Sequence, residues 1–80
     1  MLPESSVAEA LPRLYRRVLD AVEVLERSGG RAEATRLRHA AVKVYSGAWD
    51  AKSHRRLEEI ANRAELAAEE QERRGGSHAA

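Results

Sequence analysis

The stretch VYSGAWD, residues 44–50, decides how this sequence is read, because two of the chain's three aromatic residues stand in it. On either side the chain is mostly Ala, Leu, Arg and Glu. Gly47 interrupts a helical pattern, since glycine loses more backbone freedom in a helix than any other residue. Asp50 carries the short acceptor side chain that caps the N-terminus of a following helix. The stretch therefore reads as the joint between two helices. Trp49, between breaker and cap, is expected to cover the open end of the core and to send its indole N–H to a free carbonyl. The competing reading makes Trp49, with Tyr45 and Tyr15, the anchor of a partner interface, since Trp, Tyr and Arg dominate interface hot spots.

On the N-terminal side of the joint, residues 31–46 place Ala34, Leu37, Ala41, Val44 and Tyr45 on one helical face, mostly small residues that let helices approach closely. Residues 51–73 place Leu57, Ile60, Ala61, Ala64 and Ala68 on one face, with Glu59–Arg63, Glu69–Arg73 and Glu70–Arg74 as supporting i, i+4 pairs. SGG at 28–30 is a second stop, glycine being the residue that turns left-handed after a helix end. Before it, Leu11, Leu14, Tyr15, Val18, Val22 and Leu25 form the stripe of a first helix ending near Arg27. SVAE at 6–9 matches a capping box, yet a start there would leave Pro12 inside the helix. A start within 9–12 puts that proline in the first turn and is the expected one.

The fold expected is all-α: a small antiparallel three-helix bundle with a long third helix. Residues 1–10 are expected to be a partly frayed segment, 11–73 a single helical-bundle domain and 74–80 a flexible tail. At about 1.5 Å per residue the third helix would outreach the other two by about two turns.

Composition bounds the rest. Of the 80 residues 34 are hydrophobic, but 15 of these are Ala and none is Phe, so the core is thin. Chains of this size and composition commonly draw further stability from association, and a homo-oligomer is expected. Fourteen basic residues against thirteen acidic give a net charge of +1, no overall drive toward nucleic acid or an anionic membrane. The absence of Cys excludes disulfides, thiolate nucleophiles and thiolate zinc sites. MLPESSVAEA lacks the basic-then-apolar layout of a secretory signal, no apolar run reaches membrane-spanning length, and a cytoplasmic location is expected.

Charge is unevenly placed. Residues 31–56 carry seven basic side chains against Glu33 and Asp50, whereas 57–80 carry six Glu against three Arg. Arg36, His39 and Lys43 share the outer face of the second helix, and Arg55 and Arg56 follow in the third. These five are the candidate contacts for an anion or an acidic partner. The apolar candidates for partner contact are Tyr45 and Trp49, Leu19 and Val24 off the stripe of helix 1, and Leu66, opposite the core face of helix 3 among Glu side chains.

Several chemistries are disfavoured. A DNA-reading helix-turn-helix sets a small residue four before its turn glycine and an apolar one about six after, but here stand Lys43 and Ser53. His39, His54 and His78 form neither Glu-x-x-His nor His-x-x-x-His, so no metal and no other cofactor is expected. SGGRAEAT lacks the preceding strand and the Lys-Ser/Thr ending of a phosphate loop. The sequence thus reads as a small non-enzymatic helical protein acting through protein–protein contact, as adaptor, accessory subunit or regulator. The alternative is a nucleic-acid-associated protein that contacts phosphates through 31–56.

Overall fold

Three helices follow one another in the computed structural model: α1 (Glu4–Arg27), α2 (Arg31–Tyr45) and α3 (Ala51–Ala79). It describes residues 4–79, and the side chains of 7–74. All three helices pack on one another, and the molecule is a rod of 49 × 19 × 14 Å. Among the described residues there is no strand, and no helix is long and apolar enough to cross a membrane.

The direction of each helix follows from its cross-links. Tyr15 meets Tyr45 while Glu26 meets Arg38, so α1 and α2 run antiparallel. Arg17 meets Glu65 while Ser28 meets Gln71, so α1 and α3 run parallel, as the first and third helices of an up-down-up bundle must. Gln71 is level with the α1–α2 turn, and the eight residues beyond it, about 12 Å of helix, overhang the bundle.

The core is divided unequally. α1 contributes Val7, Leu11, Leu14, Val18, Ala21, Val22 and Leu25; α2 contributes Ala34, Leu37 and Ala41; α3 contributes Leu57, Ala61, Ala64 and Ala68. The large side chains thus stand on α1, and the facing helices each present one Leu among alanines. Small side chains let the α2 and α3 backbones close onto the ridge of α1. No polar or charged side chain among the described residues is buried.

Two helix ends differ from the sequence expectation. α1 starts at Glu4, not within 9–12, and runs through Pro12. The added turns bring Val7 into the core; burying a valine is worth about 1.5–3 kcal/mol, which offsets a proline cost of about 3 kcal/mol. Pro12 and Ala8 are exposed, so the carbonyl that the proline leaves unserved lies on the solvent side. α3 continues past Arg73 through Gly75 and Gly76 to Ala79. Once a helix is nucleated each further residue adds a hydrogen bond for little cost, and no proline stops this one. Residues 1–3 of the expected frayed segment and Ala80 of the expected tail lie outside the described residues.

The stop at 28–30 works by two different requirements. Gly29 takes φ +97°, open to glycine at no steric cost. The Gly30 N–H reaches the Leu25 carbonyl at 2.7 Å, the six-to-one bond of a Schellman turn. A Cβ on Gly30 would lie 2.9 Å from Leu25 Cδ2, so any larger residue here requires the buried Leu25 side chain to shift; the constraint at this position is space, not conformation. The Gln71 side-chain amide then donates to the Ser28 carbonyl at 2.9 Å, tying α3 to this turn.

Arg17 fixes the same pair of helices from the side. Its Nε and Nη2 donate to the two Glu65 oxygens at 2.9 and 2.6 Å, and Nη2 also donates to Asn62 Oδ1 at 2.9 Å. These hydrogen bonds from Arg17 hold the Glu65 carboxyl below the usual range. A carboxyl with a lowered folded pKa stabilises the fold above its unfolded pKa of about 4.3, and that contribution disappears as pH falls through the lower folded value. Both side chains are partly exposed, so the pair is worth about 1 kcal/mol or less. Urea titrations of wild type and Glu65→Gln are expected to differ near neutral pH and to converge in acid below the ordinary carboxylate range. A difference that persists undiminished in acid would refute the assignment.

Candidate functional site

The joint at 44–50 folds as a helix end finished by a ring. The last carbonyls of any helix lack intrahelical donors. Here Ser46 N–H serves Val42, Gly47 N–H serves Val44, and the Trp49 indole Nε1–H donates to the Tyr45 carbonyl at 2.7 Å. Asp50 then opens α3, its Oδ1 accepting the Ser53 N–H at 2.9 Å, while Ser53 Oγ donates back to the Ala48 carbonyl. That backbone hydrogen bond from Ser53 holds the Asp50 carboxyl below its ordinary value, as expected of an N-cap.

Spending its polar edge on a carbonyl leaves Trp49 with its ring faces. One lies against Tyr45, with centroids 5.1 Å apart and planes tilted by 37°. Tyr45 in turn stacks on Tyr15 of α1, centroids 4.3 Å apart and planes 3° from parallel. All three aromatics of the chain thus form one ladder along the α1–α2 seam. The ladder is not core: Trp49 is 41% exposed, and the two tyrosines are half-buried.

Antiparallel α1 and α2 carry the seam onward. One turn after Tyr15 comes Leu19, half-buried, and one turn before Tyr45 comes Val42, 40% exposed. Helical spacing thus sets Leu19 and Val42 on the seam next to the ladder of Trp49, Tyr45 and Tyr15. Val42 was missed in the sequence because it lies off the inner face of α2. Its signal was the i, i+3 spacing to Tyr45.

The other two apolar candidates lie elsewhere. Val24 is on the α1–α3 seam, in a shallow groove with Ala21 and Ala68 that is bordered by Asp20, Glu65, Glu69 and Glu72 and by Arg17, the partner of Glu65. Leu66, 62% exposed, stands on α3 beside Arg63, Glu70 and Arg74. The five residues expected to share partner contact therefore occupy three faces, and only Tyr45, Trp49 and Leu19 come together.

The basic candidates divide in the same way. Arg36 and Arg56 line the α2–α3 groove with Arg63, and Lys43 and Arg56 line its lower end with Lys52. Glu33, Glu59 and Asp50 are interleaved with them, and Arg36 is paired with Glu33 at 2.8 Å. His39 and Arg55 are exposed and line neither part. The seams thus differ in character: α1–α2 carries the aromatic ladder and the Glu26–Arg38 ion pair, α2–α3 is net basic and α1–α3 net acidic. Among the described residues no group of three or more His, Cys, Asp or Glu is placed to hold a metal ion. No protein-family model, curated protein or solved structure matches the chain.

Proposed function

We propose that this chain is a small non-enzymatic helical protein that works by protein–protein contact, and that the α1–α2 seam is its contact surface. The observation that carries the reading is the aromatic ladder: three rings held in fixed mutual geometry, with Trp49 41% exposed at its end. Rigid aromatic anchors lose little conformational freedom on binding and supply most of the energy of typical interfaces. Leu19 and Val42 extend the apolar area beside them.

The test is Trp49→Ala in a tagged pull-down from nuclease-treated native lysate. Removing the ring gives up one partly exposed hydrogen bond and one ring contact, a stability loss of about 1 kcal/mol. Helicity is expected to hold while capture falls by about thirtyfold or more, the measure of an interface hot spot. Parallel loss of helicity and capture would return Trp49 to a purely structural role.

A second reading rests on the α2–α3 groove, where Lys43, Lys52 and Arg56 converge with Arg36 and Arg63. As a phosphate track it would give nucleic-acid binding that weakens steeply with salt and fails in Arg56→Glu. Binding that is absent, or indifferent to salt, dismisses it.

A further inference from the structure

We propose that the α1–α2 seam is covered by a second copy of this chain, in a two-fold dimer whose α1 helices lie antiparallel across the interface. The inference rests on the reading of that seam as a contact surface and names its occupant. The stacked Tyr15 and Tyr45 set the level at which α1 and α2 meet, and Leu19 and Val42 stand one turn from it in the same direction. These two form an apolar centre beside the ladder. A two-fold axis through that centre, perpendicular to α1, sets Leu19 and Val42 against their own counterparts, as an isologous interface requires.

Charge singles out a second copy as the occupant. Arg16 lies three residues before Leu19 and Glu23 four after it, so the two flank Leu19 on one face, two turns apart. Both are exposed, and among the described residues neither has an ion-pair partner. Reversing one α1 against another at the level of Leu19 brings Arg16 of each copy opposite Glu23 of the other. A parallel pairing would set Arg16 against Arg16 and Glu23 against Glu23. The flank is thus its own complement only in the antiparallel arrangement, the same logic by which flanking charges orient coiled coils. The thin Ala core supplies the reason to associate: an 80-residue chain gains from any further apolar surface it can cover.

Sedimentation equilibrium on the purified chain alone, from micromolar to near-millimolar concentration, tests this. Wild type is expected to show a monomer–dimer equilibrium that weakens with added salt. Leu19→Glu and Val42→Glu are expected to be monomeric with unchanged helicity, since neither side chain is buried. Arg16→Glu should weaken dimerisation by about tenfold at low salt, and adding Glu23→Arg to it should restore the wild-type affinity. The restored double variant also excludes misfolding as the cause of the single variant's loss. A wild type that stays monomeric, a dimer indifferent to Leu19→Glu, or a charge reversal that the double change does not repair would each overturn the inference. A monomeric wild type whose capture of a different protein still depends on Trp49 would overturn the dimer alone and leave the contact reading standing.

Discussion

Leu57→Ala is expected to remove most of the stability of this protein. Leu57 is fully buried and, among the described residues, is the only large buried side chain of α3; the others that α3 buries are Ala61, Ala64 and Ala68, with Ile60 only half-buried. Truncating a buried leucine costs about 2–5 kcal/mol, the upper end applying where neighbours cannot collapse into the cavity. A domain of this length has a total of about 4–12 kcal/mol. Thermal unfolding followed by circular dichroism should show the midpoint falling by at least 10 °C, on a scale of about 4–8 °C per kcal/mol, or no cooperative transition at all. A fall of less than about 4 °C would mean that α3 is held chiefly by Arg17 and Gln71 and not by its apolar face.

Ala61→Leu is the opposite perturbation at the same interface and is expected to be nearly as damaging. Ala61 has no exposed surface, and it is one of the alanines through which α3 closes onto the ridge of α1. Three further carbons in a filled site force α3 outward or drive its neighbours off their rotamers, at a cost of about 1–3 kcal/mol. If α3 moves, the Arg17–Glu65 and Gln71–Ser28 bonds stretch with it, so the loss should exceed that of an isolated overpacked site. Leu66→Ala, at a position 62% exposed on the same helix, provides the contrast, with a change within about 0.5 kcal/mol. Urea midpoints for the two variants decide the matter. Equal effects would show that the small residues of α3 are helix formers only and do not set the spacing.

These two substitutions touch what the sequence made legible. Periodicity marked the faces of all three helices: of the residues named from spacing in α2 and α3, Ala34, Leu37, Ala41, Leu57, Ala61, Ala64 and Ala68 are buried, while Val44, Tyr45 and Ile60 are half-buried against them. Gly29 and Asp50 were legible too, because a left-handed turn and an N-cap are local demands that few residue types meet. Val7 was not legible. Local rules set the start of α1 within 9–12, with Pro12 in the first turn, and only the tertiary gain from burying Val7 shows why the helix begins earlier.

The candidate surface divides along the same line. The sequence marked Trp49 and Leu19 as apolar residues without a place in a stripe and Tyr45 as the last residue of the α2 stripe, and it anticipated the Trp49 N–H on a helix-end carbonyl. It grouped Val24 and Leu66 with them, which the packing places on other faces. It also grouped five basic residues, of which packing brings Arg36, Lys43 and Arg56 to one groove and leaves His39 and Arg55 outside it.

By itself, then, the sequence determined the helices, where two of them stop, and which side of each is buried, because these depend on interactions within about four residues of one another along the chain. Only the tertiary structure decided which exposed residues become neighbours. That depends on the rotation and level of each helix against the next, which are set by how the ridge of α1 seats among the alanines of α2 and α3, and no local spacing encodes it.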